Sequence, residues 1–333
     1  MSVSVVIPCY QSARTLPTLV TRLVPVLREV SARHEVILVV DGSPDDTWAI
    51  AADLARRFDG VRAINLSRNY GQHNALVAGI REAGYEVVVT MDDDLQHLPE
   101  QIPLLLAALE GDRLDLVYGV PHDEEHGFLR SFASRSVKTA MAGVLGVRAA
   151  RTISAFRAFR TRLREGFEGL SGPHASVDVA LSWATSRVGS VRVHMRERQQ
   201  GRSNYTARLL ARHAVNMLLG YSTTPLRMAS YLGFFVGIIG IVLAGTVLWR
   251  FTSGDTTVAG FTTIASTVAI FSAAQLISVG VLGEYVGRIH SSGMGRPTYV
   301  VSERVGSRPI VEIPMTATRY QPTPAHTNGV RTG

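Results

Sequence analysis

The sequence predicts an α/β domain with a mostly parallel sheet, followed by an amphipathic interfacial helix and two transmembrane helices. Short apolar segments alternate with helical segments through the first third of the chain, which is typical of α/β domains. Polar residues directly follow four of these apolar segments. Two later stretches carry no charged residue, and each exceeds the about 20 residues that a helix needs to span a bilayer.

Five apolar segments are predicted as strands, and they lie at 3–7, 36–40, 61–66, 87–91 and 115–118. Helical segments near 12–31, 45–58, 72–83 and 99–110 separate them. Continuous apolar strands that alternate with helices indicate a parallel sheet whose two faces are both covered.

The carboxyl ends of these strands are expected to carry the chemistry, because ligands of parallel sheets bind at that edge. The residues at the first four ends lie at 8–10, 41–43, 67–69 and 92–94. Neither a P-loop nor a GxGxxG segment follows the first strand, so an ordinary NTPase site and an NAD site are not supported.

Charge and cysteine content restrict the function classes further. The 333-residue chain has a formal net charge of +7, which suits a nucleic acid, an anionic membrane surface or a phosphorylated substrate. Its single cysteine, Cys9, excludes an internal disulfide and a cysteine-based metal cluster. We interpret Cys9 as a small buried side chain in a protein of a reducing compartment.

The two uncharged stretches, residues 228–249 and 256–283, are predicted to span a membrane, with a hairpin in a protein core as the alternative. The loop between them is short and nearly neutral. Arginines flank the pair on its other side, at Arg202, Arg208, Arg212, Arg227, Arg288 and Arg296. The positive-inside rule therefore places the N-terminal domain and the C-terminal segment in the cytoplasm.

These features predict four segments. A cytoplasmic α/β domain covers 1–200, interfacial and juxtamembrane helices cover 201–227, and two transmembrane helices with a short external loop cover 228–287. The remainder, 288–333, is predicted to be a cytoplasmic segment. Its Pro, Thr and Arg content from about residue 303 onward predicts a disordered tail.

The similarity to known proteins rests on motifs at the strand ends: VVIPCYQSARTL, VVDGSPDDT, LSRNYGQHNAL and MDDDLQHLPE. In this order and spacing they resemble family 2 glycosyltransferases of the GT-A (Rossmann-like) fold. Three later segments sharpen the resemblance: VGSVRVHMRERQQGRSNYT, STTPLRMASYLGF and LGEYVGRIHSSGMGRPTY. They resemble polyprenyl-phosphate glycosyltransferases of the dolichyl-phosphate mannose synthase-like, bactoprenol glucosyltransferase-like and aminoarabinose transferase-like types.

The resemblance covers residues 3–301. It implies an inverting, membrane-bound enzyme that moves a sugar from a nucleoside diphosphate sugar to undecaprenyl or decaprenyl phosphate for cell-envelope glycans. The implied location is the bacterial plasma membrane, in a multi-pass protein. We expect a homo-oligomer, either a dimer or a tetramer, and we expect no nucleic-acid partner.

Three consecutive aspartates form the predicted metal site. A divalent ion that bridges the two phosphates of the leaving diphosphate stabilises its developing charge, and oxygen ligands suit Mg²⁺ or Mn²⁺. Asp94 is the predicted metal ligand and catalytic residue, and the resemblance implies Gln96 as its helper. Asp92 is expected to meet the ribose or hold the loop, whereas Asp93 points the other way if strand alternation persists. An aspartate-rich turn is the alternative.

The nucleotide is expected across the first three strand ends. Pro8 and Tyr10 would line the base pocket, Asp41 would accept a hydrogen bond from the base, and Arg68 would reach the base or the diphosphate. Further donor-site candidates are Gln72, Asp92 and Asp93. The family usually has two acids before Gly-Ser, but here Val40 replaces the first. UDP is therefore only the first expectation and GDP the second, and an ordinary turn at 41–43 is the alternative.

Two basic segments are candidates for the acceptor phosphate. Residues 127–145 combine an apolar stripe with cations at Arg130, Arg135 and Lys138, which suits a helix on the bilayer surface; a solvated basic face is the alternative. Further along lies an RxxGxSxY pattern, and the resemblance implies that it introduces the interfacial helix, about 205–221; an exposed arginine-rich loop is the alternative. The candidate phosphate-binding residues of this pattern are Arg198, Arg202, Ser203 and Tyr205.

Catalysis needs a nucleophile more than a base. The second pKa of a phosphate monoester lies near ~6, so the acceptor oxygen is already anionic at neutral pH. Where many relatives have Asp before Phe-Arg, this chain has Ala155, which cannot act as a base. Asp178 is the nearest replacement candidate, although it also suits the first turn of a helix. The predicted catalytic residues are thus Asp94, Asp178 and Arg198.

Two other functions stay open. A polysaccharide synthase would share the donor site, but it would normally carry a QxxRW-type segment and more membrane spans. A catalytically silent, nucleotide-binding membrane scaffold is suggested by the two departures at Val40 and Ala155.

Overall fold

The structure is a computed structural model that describes residues 1–122, 153–167, 176–196, 224–253 and 260–307. The first part alternates strands and helices in the order β1 (Ser2–Cys9), α1 (Leu16–Val30), β2 (Arg33–Val40), α2 (Thr47–Arg57), β3 (Val61–Leu66), α3 (Gln72–Glu82) and β4 (Val87–Thr90). A 3₁₀ turn (Pro99–Gln101) then leads into α4 (Ile102–Gly111) and β5 (Leu116–Pro121). All five predicted strands and four predicted helices are confirmed within a few residues.

The described residues after β5 add three strands, three helices and a second 3₁₀ segment. They are β6 (Arg157–Arg160), the 3₁₀ segment Thr161–Phe167, α5 (Val177–Ala184), β7 (Val188–Val193), α6 (Thr224–Thr252), α7 (Phe261–Gly293) and β8 (Val301–Val305).

The eight strands form one mixed sheet in the order β7-β5-β6-β4-β1-β2-β3-β8. The predicted, mostly parallel sheet is confirmed, with β6 and β8 as its antiparallel members. The chain proceeds outward from β1 to β3 and then returns to place β4 on the other side of β1. The ends of β1 and β4 therefore form a topological switch point, the place where open α/β sheets bind ligands.

Two apolar layers cover the sheet. Helices α1, α2 and α4 pack on one face, and α3 and α5 pack on the other. All eight residues of β1 are buried, because both faces of this central strand are covered. This rigid centre fixes the strand ends that carry the predicted site.

The predicted start of the tail, at about residue 303, falls inside a strand. Strand β8 continues to Val305 and pairs antiparallel with β3. Its side chains also bind the domain, since Ser302 Oγ donates to the carbonyl oxygen of Asn65 at 3.0 Å and the Trp48 indole donates to Glu303 at 3.3 Å. The sequence did not predict β8 because its VSERV segment is short and mostly exposed.

In the part of the chain that the structure describes, two helices, α6 and α7, are long and apolar enough to cross a membrane by length and composition. The most apolar windows are Leu226–Leu243 and Ile270–Gly287, and 0% of each window is buried inside the protein. That exposure argues against the alternative of a core hairpin. The helices pack closely at Gly240, where an added Cβ would lie 2.3 Å from the ring of Phe271. The predicted interfacial helix at about 205–221 lies outside the described residues.

Candidate functional site

An open cavity of about 300 Å³ lies at the carboxyl ends of β1 to β4. Seven predicted site residues line it together: Pro8, Tyr10, Asp41, Gln72, Asp92, Asp93 and Asp94. Cys9, Asn69 and Gly71 complete the lining. The structure therefore brings the predicted donor site and the predicted metal ligand Asp94 into one cavity.

Asp41 orders the loop that follows β3. Its two carboxylate oxygens accept hydrogen bonds from the backbone amides of Tyr70 and Gly71, both at 2.7 Å. Burial raises the pKa of Asp41, whereas these two amides and the charge of Arg68 lower it. The described partners of Asp41 are thus backbone groups, and its predicted bond to a base would be an additional contact.

Gly42 allows the same loop to approach closely. Its φ is +54°, and an added Cβ would lie 2.2 Å from the backbone carbonyl carbon of Arg68. Gly71 also has a positive φ, +93°, but an added Cβ there would meet nothing within 4 Å. Of these two glycines, Gly42 is therefore required by contact as well as by backbone conformation, and Gly71 by backbone conformation alone.

The acidic turn after β4 is held by several hydrogen bonds. Asp92 accepts one from the Gln72 amide at 2.7 Å, and its own backbone N–H donates to His97 Nδ1 at 2.9 Å. Asp94 Oδ1 accepts from the backbone N–H of Gln96 at 3.1 Å. Leu95, at the centre of the turn, has a positive φ of 64°, an unusual conformation for a branched side chain.

Asp93 joins the ends of β4 and β1. Its carboxylate accepts hydrogen bonds from the backbone N–H of Tyr10, at 3.2 Å, and from the hydroxyl of Ser12. Burial raises the pKa of Asp93 to about 6; the neighbouring Asp92 and Asp94 also raise it, while the two hydrogen bonds lower it. Asp93 thus holds the loop that contains Tyr10 against the acidic turn.

His97 lies beneath the acidic turn. It is buried, and its ring stacks on Phe156 with 5.1 Å between ring centroids. Burial lowers the pKa of His97 to about 4; the charge of Arg157 also lowers it, whereas that of Asp94 raises it. The ring is therefore neutral at pH 7. Because Nδ1 accepts the Asp92 N–H, the proton is assigned to Nε2.

Asp178 belongs to a buried ion pair and does not line the cavity. Its Oδ1 accepts hydrogen bonds from Arg157 and, at 3.1 Å, from the hydroxyl of Tyr118. Burial lowers the pKa of Arg157, but the attraction of Asp178 outweighs it and raises the pKa overall. Burial and the same carboxylate raise the pKa of Tyr118. This geometry favours a structural role for Asp178 over the predicted catalytic one.

Of the two neighbouring residues Arg68 and Asn69, the structure places Asn69 in the cavity lining, whereas the sequence favoured Arg68. Arg68 is exposed and does not line the cavity, and its guanidinium lies 4.4 Å from the ring centroid of Tyr70. Asn69 lines the cavity and accepts a hydrogen bond from the backbone N–H of Gly71 at 3.1 Å. Its position at the end of the third predicted strand is the sequence signal that points to Asn69.

The acidic turn fits a divalent cation that takes most of its ligands from a substrate. Among the residues that the structure describes, no three acidic, histidine or cysteine side chains form a ready-made metal cluster. Mg²⁺ is commonly held by one or two carboxylates together with substrate phosphates and water. Asp94 and Asp92 supply such carboxylates at the cavity wall. Gln96 is absent from the lining, so its metal contact remains a prediction.

The predicted acceptor residues lie outside the described part of the chain. They are Arg130, Arg135, Lys138, Arg198, Arg202, Ser203 and Tyr205. The structure thus describes the predicted donor side of the site, and the assignment of the acceptor side rests on the sequence.

Comparisons with known proteins agree with this picture. The sequence profile of glycosyl transferase family 2 matches residues 4–168. The undecaprenyl-phosphate 4-deoxy-4-formamido-L-arabinose transferase of Pseudomonas fluorescens (strain SBW25) is 31% identical over 94% of this chain and 92% of that protein. The enzyme of the same name from Serratia proteamaculans (strain 568) is 31% identical over 92% of this chain and 95% of that protein.

Solved structures share the fold. Glucosyl-3-phosphoglycerate synthase from Mycobacterium tuberculosis, in complex with Mn²⁺, UDP and glucosyl-3-phosphoglycerate, superposes with a TM-score of 0.52 at 19% identity. The match covers 66% of this chain and 79% of that one. The same synthase with Mn²⁺, UDP-glucose and phosphoglyceric acid gives a TM-score of 0.51 at 18% identity, over 66% and 79% of the two chains.

Proposed function

Because the chain belongs to glycosyl transferase family 2, we propose that it transfers a sugar from a nucleoside diphosphate sugar to polyprenyl phosphate at a membrane surface. The observation that carries the proposal is the match to undecaprenyl-phosphate transferases over 94% of the chain. That match extends beyond the catalytic domain, to a part of the chain with two candidate membrane-spanning helices.

The donor is proposed to bind in the cavity at the β1–β4 switch point. Pro8 and Tyr10 offer an apolar and aromatic wall for the base, and Asn69 offers an amide donor and acceptor. UDP is the first candidate, because the solved glucosyl-3-phosphoglycerate synthase carries UDP or UDP-glucose in the same fold, and GDP is the second.

Gly42→Ala is expected to weaken nucleotide binding about 10-fold. The added Cβ would clash with the backbone at Arg68 and displace the loop that contains Asn69, and small misplacements in a binding site can cost up to about 100-fold. Calorimetry of UDP binding measures the effect. Gly295→Ala is the matched control, because Gly295 also has a positive φ, +61°, an added Cβ there would meet nothing within 4 Å, and the residue does not line the cavity; it should cost distinctly less. Equal losses in the two variants would contradict the contact argument.

The proposed metal is Mg²⁺ or Mn²⁺, held by Asp94 with Gln96 as the predicted helper and Asp92 beside them. When bound between the donor phosphates, the cation would neutralise the charge that develops on the leaving diphosphate. The protein's own contribution is to fix the acidic turn through Gln72 and His97.

The proposed reaction is an in-line displacement at the anomeric carbon. An anionic oxygen of the lipid phosphate forms the new carbon–oxygen bond, while the bond to the nucleoside diphosphate breaks and its electron pair leaves with the diphosphate. No proton has to be removed from the nucleophile, which agrees with Ala155 at the position where many relatives have Asp. The displacement inverts the configuration, so an α-linked donor would give a β-linked lipid phosphate sugar.

The membrane arrangement is part of the proposal. The catalytic domain (1–200) and the C-terminal segment would lie on the cytoplasmic side of a bacterial plasma membrane, joined by helices α6 and α7. The charge asymmetry of the flanking segments supports this orientation. The dimer or tetramer expected from the sequence stays a prediction.

Arg198→Ala is expected to raise the KM for polyprenyl phosphate or lower kcat, while nucleotide sugar affinity stays within about twofold, since the two pockets are distinct. A guanidinium offers a bidentate donor for the lipid phosphate, so Arg198→Lys should restore activity only partly. Arg202→Ala is the neighbouring control and should matter less, with an effect that weakens at high salt. Loss of donor affinity with a normal response to acceptor would place Arg198 in the nucleotide site instead.

The full-length protein in detergent, incubated with labelled nucleotide sugars and undecaprenyl phosphate, tests the proposed function. A lipid-linked monophosphate sugar with the inverted anomer, identified by NMR coupling constants, would support it. A growing glycan chain would indicate a polysaccharide synthase, and nucleotide binding without turnover on any donor would indicate a silent scaffold.

A further inference from the structure

The strand that leads toward the predicted acceptor segment is bonded directly to the acidic turn. After β7 ends, the backbone N–H of Arg196 donates to the carbonyl oxygen of Gln96 at 3.0 Å. Met195 forms an isolated antiparallel bridge with His97. The RxxGxSxY pattern begins two positions beyond Arg196. A short backbone ladder thus links the acidic turn to Met195 and Arg196, which directly precede this pattern in the sequence.

His97 takes part in both halves of this link. Its backbone bridges to Met195, and its side-chain Nδ1 accepts the N–H at the start of the acidic turn, at 2.9 Å. The ring cannot easily move away from this bond, because it is buried and stacks on Phe156 with an interplanar angle of 15°. One residue therefore fixes the turn from Asp92 onward relative to the strand that precedes the acceptor segment.

The acidic turn needs such an anchor. Its centre, Leu95, has a left-handed backbone conformation that a branched side chain adopts only when the surroundings impose it. The carboxylate of Asp94 accepts a hydrogen bond from the N–H of Gln96 in the same turn, so it depends on the turn for its position. The ends of the turn at Asp92 and His97 are the points where the fold imposes that position.

We propose that His97 is a positioning residue that aligns the metal-binding turn with Met195 and Arg196, the residues directly before the predicted acceptor segment. The proposal rests on the proposed function for the identity of the two ligands. It predicts that loss of the His97–Asp92 hydrogen bond weakens cation binding at the turn and, through the ladder to Met195 and Arg196, also weakens use of the acceptor. If His97 only filled the core, its replacement would lower stability, and cation binding and acceptor use would fall only as far as the loss of folded protein requires.

Two variants separate the hydrogen bond from the packing. His97→Phe keeps a ring for stacking on Phe156 but has no acceptor for the Asp92 N–H. His97→Asn loses the ring but can place its amide oxygen near the former position of Nδ1. If the bond matters, Asn should recover function that Phe loses, although Asn is the poorer replacement for packing.

The cation can be measured without turnover. UDP binding to the full-length protein is measured by calorimetry with Mn²⁺ and again with EDTA, and bound Mn²⁺ is followed by its paramagnetic resonance spectrum. In His97→Phe, the gain in UDP affinity from Mn²⁺ should fall about 10-fold, the range seen when a residue that orients a metal ligand is lost. UDP affinity in EDTA should stay within about twofold. His97→Asn should regain most of the Mn²⁺ effect.

The acceptor arm uses the KM for undecaprenyl phosphate at saturating Mn²⁺ and donor. We expect at least a threefold rise in this KM in His97→Phe and its recovery in His97→Asn.

Unchanged Mn²⁺ binding in His97→Phe would overturn the positioning role. A normal KM for the lipid despite weakened Mn²⁺ binding would overturn the link to the acceptor segment. If both variants lost Mn²⁺ binding and acceptor use equally, and these losses followed the fall in melting temperature, the role of His97 would be core packing alone. If the wild-type protein never uses the lipid, the proposed function fails, but the Mn²⁺ arm still decides the role of His97 at the turn.

Discussion

Asp94→Asn is expected to reduce turnover at least about 100-fold while the protein remains folded. The substitution removes the carboxylate charge that would bind the cation on the donor diphosphate, and the loss of one such electrostatic contact typically costs 100-fold to 1,000-fold in kcat, or about 3–4 kcal/mol. The fold should tolerate it, because Asp94 lies at the cavity wall and an asparagine oxygen can still accept the Gln96 N–H. Initial rates with saturating donor and lipid phosphate measure the effect.

Two controls accompany the Asp94 experiment. Asp53→Asn removes a carboxylate from an exposed i,i+4 pair with Arg57, away from the cavity, and should leave turnover unchanged. Addition of EDTA to the wild-type protein should abolish activity, and Mn²⁺ or Mg²⁺ should restore it. Full activity in EDTA would contradict the assignment of Asp94 as a metal ligand.

The sequence predicts the centre of the sheet well because the local signal and the tertiary environment agree there. Strand β1 is mostly apolar and is buried throughout, so its position follows largely from its own residues. Strand β6 shows the opposite case. It has the sequence RAFR, and its first residue, Arg157, is fully buried only because Asp178 and Thr90 from other elements bind its guanidinium. A local pattern cannot reveal partners that are distant in the sequence.

In the candidate site, too, some features could be predicted from the sequence and others could not. The placement of Asp41 and Asp92 at one edge follows from the rule that ligands bind at the carboxyl ends of parallel strands. Their partners do not follow from it. Asp41 binds amides about 30 residues away, and Asp93 binds the loop after β1. These contacts depend on loop conformations, such as the close approach at Gly42, that the sequence permits but does not specify.

Asp178→Asn is expected to destabilise the catalytic domain by about 3–5 kcal/mol, the usual cost of leaving a buried charge without its partner. Arg157 is 1% exposed and Asp178 is 7% exposed, so solvent cannot replace the lost carboxylate. Tyr118 would also lose a charged acceptor for its hydroxyl. In thermal unfolding of the full-length protein, the melting temperature should fall by at least about 6 °C.

The double variant Arg157→Met with Asp178→Asn separates a structural from a catalytic role for Asp178. If the damage comes from the unpaired guanidinium, removing it should recover part of the lost stability, and the two single effects should not add. The residual turnover of Asp178→Asn, measured at a temperature where it is folded, should then stay within about 10-fold of wild type, since a base that removes a proton in the transition state contributes about 100-fold or more. A variant that melts like the wild type but loses turnover more than 100-fold would establish Asp178 as the missing base. That result would also require the cavity to open toward α5 when the substrates bind, because in the described structure the carboxylate faces Arg157 and Tyr118.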